Sequence, residues 1–128
     1  MTIAFWCVFV ACLLPVMTAW VSGWFRHRQF GGIDNRHPRQ QCARLEGPGA
    51  RSVAAQQNAW EALAVFTAAV LVADAVGVAQ HKMDIAALVF IAARVVYPVF
   101  YIADLHVLRS LTFMVGFFAS LSLFIMAA

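Results

Sequence analysis

Residues 2–25, TIAFWCVFVACLLPVMTAWVSGWF, carry no charged side chain. At about 1.5 Å of rise per residue, a helix of that length exceeds the roughly 30 Å hydrocarbon core of a bilayer. A small water-soluble domain has no interior large enough to hide such a run, so the segment reads as a first transmembrane helix. A cleavable leader is the competing reading. The run lacks a basic stretch before Ile3 and is longer than an ordinary leader core, so retention is expected. Pro15 removes one backbone hydrogen bond and predicts a kink, while Trp20 and Trp24 suit the membrane interface.

The rest of the chain agrees with lipid as the solvent. Hydrophobic residues make up 63% of the sequence and Asp, Glu, Lys and Arg only 12%, too few to cover a water-facing exterior. Further apolar spans are expected over about 53–78, 84–103 and 108–127, giving an all-α integral membrane protein built as a four-transmembrane-helix bundle. The second span has polar first turns from Arg51 onward, and Asp84 is placed to cap the start of the third. Short connections make consecutive helices antiparallel neighbours.

Residues 26–50 differ in kind. Gly31-Gly32, Asp34-Asn35, His37-Pro38 and Gly47-Pro48-Gly49 favour turns, with room for one short helical turn around Pro38 to Leu45. From Arg26 to Arg51 six arginines stand against Asp34 and Glu46, a local net charge of +4. The positive-inside rule puts this short loop in the cytoplasm and both termini in the other compartment. The basic balance therefore marks a juxtamembrane cluster, and nucleic acid is excluded as a partner because no soluble face presents the charge.

Polarity inside the spans points to a site. Arg51, Asn58 and Glu61 are spaced by seven and three, and so share one face of the second span together with Ala54. Arg94, Tyr97, Tyr101 and Asp104 follow at three, four and three along the third. An ionised side chain deep in lipid costs several kcal/mol or more, which selects protected positions for Glu61 and Arg94. Helical phase predicts that the two pair, with Asn58, Tyr97 and Tyr101 completing their hydrogen bonds. Such a network reads first as helix glue, second as a polar-ligand site and last as a solute path. Asp74 lies off this face, toward the other end of its helix, and reads as a bundle contact.

Other chemistry is not signalled. No phosphate-binding loop, HExxH, CxxC or nucleophile elbow occurs, and isolated His27, His37, His81 and His106 establish no metal site. Cys7 and Cys12 read as small hydrophobes; Cys42 has basic neighbours but no placed base.

AAQQNAWEALAVFTAAVLVA at 54–73, ARVVYPVFYIADLHVLRS at 93–110 and DNRHPR at 34–39 together resemble bacterial-type members of the MAPEG superfamily, membrane-associated proteins in eicosanoid and glutathione metabolism. The resemblance covers nearly the whole chain and rests on coupling N-x-x-E to R-x-x-Y-x-x-x-Y in the next span. It implies a homotrimer in the bacterial inner membrane, with glutathione held between subunits near the cytoplasmic side. Asn58 and Glu61 match residues that contact glutathione, and Arg94, Tyr97 and Tyr101 match the third-helix motif. Arg51 is a further binding candidate, and Arg109 lies one position from the thiol-activating arginine. The implied activity is a glutathione S-transferase or glutathione-dependent peroxidase acting on lipophilic electrophiles, with no metal. Two departures stand out. Eukaryotic glutathione enzymes of the family have arginine where Ala54 stands and tyrosine where Ala62 stands. These keep open a noncatalytic lipid-binding or membrane assembly protein of the same architecture.

Overall fold

The computed structural model describes residues 1–128, which are helical apart from short connections and contain no strand. Five helices follow in order: α1 (Ile3–Phe30), α2 (Pro38–Ala43), α3 (Gly47–Ala75), α4 (Gln80–Ile102) and α5 (His106–Ala127). All but α2 are long and apolar enough to cross a membrane. Their outer faces are what lipid selects. Trp20, Val99 and Ile125 are 73%, 62% and 67% exposed, a surface that water would not tolerate over four helices.

Small side chains let the helices approach. Ala4, Ala11, Ala69, Ala73, Ala87 and Ala119 are buried around Phe66 and Phe90, whose rings stack at 3.8 Å between α3 and α4. In lipid there is little hydrophobic drive between helices, so this close van der Waals contact, with hydrogen bonds, supplies the packing energy. At the loop end the Ser22 and Ser52 hydroxyls lie 2.9 Å apart between α1 and α3. Gly49 sits there because a Cβ would come within 3.0 Å of Leu45 and 3.2 Å of Phe25.

Helix α1 runs unbroken through Pro15 and on to Phe30, five residues beyond the uncharged stretch. The Thr18 hydroxyl donates to the carbonyls of Leu14 and Pro15 at 2.7 and 3.1 Å, in the turn that the proline disturbs. A second proline, Pro98, is likewise carried inside α4.

Two local expectations are corrected. Asp84 does not cap its own helix: it lies within α4, and its Oδ1 accepts from the Ala4 amide at 3.0 Å and from Gln80 Nε2 at 2.7 Å. It therefore meets an unpaired amide at the start of α1, where the helix dipole also favours a carboxylate. Asp104 leaves the polar stripe because α4 ends two residues before it. Asp104 adopts a left-handed φ of 62°, with its amide on Tyr101 O and the Leu105 amide on Phe100 O. That bond pattern is a Schellman C-cap, repeated at Gly77 after α3.

The basic loop is ordered by one buried glutamine. Gln41 on α2 is 4% exposed; its Oε1 accepts from Arg26 Nε at 2.6 Å and from the Asp34 amide at 3.0 Å, and its Nε2 donates to Gly32 O at 3.0 Å. Asp34 in turn accepts from the amides of His37 and Arg36, which hold its carboxyl below the usual carboxylate range. Gln41→Ala leaves the Asp34 amide and Gly32 carbonyl without these partners, at a local cost of about 2 kcal/mol. Hydrogen exchange at the Asp34 amide should quicken by roughly 30-fold while α3 and α4 stay protected.

Candidate functional site

The ends of α3, α4 and α5 nearest the basic loop form the polar part of the bundle. Arg94, in the third turn from the end of α4, is only 3% exposed. Its Nη2 donates to Asn58 Oδ1 at 2.7 Å and to Asn58 O at 3.3 Å, tying α4 to α3. Asn58 Nδ2 then donates to Glu61 Oε2 at 3.3 Å. The direct Glu61–Arg94 pair expected from helical phase is not formed; Asn58 stands between them as acceptor from one and donor to the other. A neutral amide suits this place because it bonds to both charges, while Glu61, on the exposed side of α3, avoids full desolvation.

Aromatic rings and a glycine complete the setting of Arg94. Its guanidinium lies 4.2 Å from the Tyr97 ring centre, and Tyr97 meets Tyr101 edge to face at 5.7 Å. Across the bundle, Gly116 of α5 faces the arginine stem: a Cβ there would meet Arg94 Cδ at 3.1 Å. Arg109, in the first turn of α5, puts its guanidinium 4.6 Å over the Tyr101 ring.

Two openings adjoin this network. One, of about 210 Å³, is lined by Asn58, Glu61, Ala62, Val65, Phe90, Arg94, Phe113, Gly116, Phe117 and Ser120. The other, of about 390 Å³, is bounded by Asn58, Tyr97, Tyr101, Arg109, Ser110, Phe113 and Met114. They share Asn58 and Phe113, so polar groups of the network bound both. No buried side-chain nitrogen or oxygen lacks a partner. Arg94 Nε and Nη1 meet no protein acceptor, and Arg94 borders the smaller opening.

Six of the seven candidate side chains thus come together: Asn58, Glu61, Arg94, Tyr97, Tyr101 and Arg109. Arg51 lines neither opening. Its Nε donates to the Ile102 carbonyl at 3.0 Å, closing the C-terminal end of α4 where unpaired carbonyls and the helix dipole favour a cation. The contribution of α5 went largely unread in the sequence. Phe113, Gly116 and Phe117 belong to an apolar run in which only Gly116, the sole glycine of α5, signals a close approach. No three His, Cys, Asp or Glu side chains gather where a metal could be held.

Four membrane-length helices enclosing an arginine–asparagine junction beneath a basic loop define a multi-pass membrane protein with a polar intramembrane site. The MAPEG family model matches residues 3–128, and the chain belongs to the MAPEG family. Among curated proteins and among solved structures, no match was found. The family is associated with glutathione and eicosanoid metabolism, which brings a thiol tripeptide into consideration for the openings beside Arg94.

Proposed function

We propose that the protein binds reduced glutathione beside the Asn58–Arg94 junction and transfers it to lipophilic electrophiles, or uses it to reduce lipophilic peroxides. The observation that carries this reading is the buried Arg94, held by Asn58 at an opening that Glu61 also lines, beside a second opening bounded by Tyr97, Tyr101 and Arg109. Glutathione offers two carboxylates, an ammonium and a thiol. Arg94 suits one carboxylate; Arg51 lines neither opening and holds α4 through Nε, so it is a candidate for the other carboxylate only through its terminal nitrogens, from outside both openings. Glu61 suits the ammonium. Tyr97 and Tyr101 position the peptide or its thiol.

Arg109 is the proposed thiol activator. A guanidinium close to the sulfur favours the thiolate over the thiol, and the released proton passes to solvent. The thiolate pair then forms the bond to an electrophilic carbon whose leaving group departs with its own pair. For a peroxide, two glutathiones supply two electrons, giving the disulfide, an alcohol and water. The bilayer supplies the apolar substrate, with Val65, Phe90, Phe113 and Phe117 forming an apolar lining beside the polar groups. In this reading the working unit is a homotrimer in the inner membrane, with the basic loop cytoplasmic and both termini periplasmic.

The test is turnover by the purified protein in lipid with reduced glutathione and a panel of lipophilic electrophiles and hydroperoxides. Loss of free thiol coupled to conjugate or alcohol is expected. Ala54 and Ala62, which depart from the eukaryotic enzymes, favour the second reading, a noncatalytic lipid-binding or assembly protein. A copurified phospholipid or fatty acid, with neither glutathione binding nor turnover, would establish that alternative.

A further inference from the structure

The basic loop presents charge that the rest of the protein leaves unneutralised. Neither Asp34 nor Glu46 pairs with an arginine: the only contact between opposite charges is His37 Nδ1 with Asp34 Oδ2 at 3.5 Å. Asp34 Oδ1 is taken by the amides of Arg36 and His37. Arg28, Arg36, Arg39 and Arg44 are all exposed. Two of them are parked on aromatic faces, Arg28 at 5.2 Å from the Trp24 ring and Arg44 at 5.3 Å from Phe30. Stacking of this kind leaves the in-plane N–H edges free for bidentate bonds to an oxyanion. Gln41 holds the loop in one conformation, so these groups are presented with little ordering entropy left to lose.

We propose that Arg28, Arg36, Arg39 and Arg44 form a docking surface for anionic phospholipid headgroups. The loop joins the ends of two membrane-length helices, and Trp24 and Phe30 put its cations at the depth where apolar rings meet water. The nearest anions at that depth are lipid phosphates, and an arginine fork matches two phosphodiester oxygens. A headgroup with a net negative charge, such as phosphatidylglycerol, is preferred over zwitterionic phosphatidylcholine because no compensating ammonium competes for the phosphate. The surface is separate from the Asn58–Arg94 openings, so it does not depend on what those bind.

The experiment reconstitutes the full chain in phosphatidylcholine vesicles containing brominated phosphatidylglycerol or brominated phosphatidylcholine, and derives the relative association of the two lipids from tryptophan quenching. A basic residue at a membrane surface contributes roughly a five-fold preference. The unaltered protein should favour phosphatidylglycerol by at least about that factor, less so at raised salt. Replacing all four arginines by glutamine should bring the ratio close to unity. The pair Arg36→Gln and Arg39→Gln, whose side chains bond to nothing in the protein, should lower it partway and guards against misfolding of the fourfold variant. Lys82→Gln, on the opposite side of the bundle, should leave it unchanged. No preference in the unaltered protein, or a preference left undiminished by the loss of Arg36 and Arg39, would overturn the proposal.

Discussion

Asn58→Ala is expected to destabilise the protein by about 2 kcal/mol, more than Arg94→Met, whose expected cost is below about 1 kcal/mol. The asymmetry comes from what each change leaves behind. Removing the asparagine side chain takes the 2.7 Å acceptor from a guanidinium that is 3% exposed and leaves it only the backbone carbonyl of residue 58, at 3.3 Å. Removing the charge instead leaves a neutral amide that still reaches Glu61, and a methionine stem that can lie along Gly116. A buried charge deprived of one partner is costlier than a pair replaced by apolar groups. The double variant Asn58→Ala with Arg94→Met should therefore be no less stable than Asn58→Ala alone, a clear departure from additivity. Reversible unfolding in mixed micelles measures all three. Equal and additive losses would mean that the two side chains act independently.

Arg109→Gln should lower glutathione turnover by about 100-fold while changing glutathione binding by less than about three-fold. Arg109 lies over the Tyr101 ring in the first turn of α5 and makes no side-chain hydrogen bond within the protein, so its loss leaves no buried partner unpaired. Its proposed work is electrostatic, on a sulfur that gains charge only when the thiol ionises. Arg109→Lys keeps the charge but loses the planar fork, and should recover part of the lost rate. The ultraviolet absorbance of bound thiolate separates the two effects: the glutamine variant should bind the tripeptide with its thiol protonated at neutral pH. A variant with unchanged thiolate signal and turnover would remove Arg109 from the chemistry.

The four membrane-length helices were legible because lipid imposes one rule along the whole chain, uncharged runs long enough to cross it. Asn58 and Glu61, and separately Arg94, Tyr97 and Tyr101, were legible as faces because helical phase is set by 3.6 residues per turn. Which members of two faces touch was not. Phase placed Glu61 and Arg94 on facing stripes, but the contact depends on the relative translation of α3 and α4, and that translation puts Asn58 opposite the arginine. Asp104 was misread because a spacing argument presumes that the helix continues, whereas a left-handed C-cap ends it. Asp84 and Gln41 share a different difficulty. Each satisfies groups far along the chain or across a turn, 80 residues away in the case of Ala4, and polar residues of that kind carry no periodic signal.

The most direct test is a calorimetric titration of reduced glutathione into the purified protein in lipid, alongside Arg94→Met. Saturable binding that weakens by at least about 10-fold in the variant is expected, since a charged hydrogen bond to a carboxylate is worth about 1.5–3 kcal/mol. Absence of binding to a folded protein, or equal affinity with and without the guanidinium, would contradict a glutathione site at the Asn58–Arg94 junction.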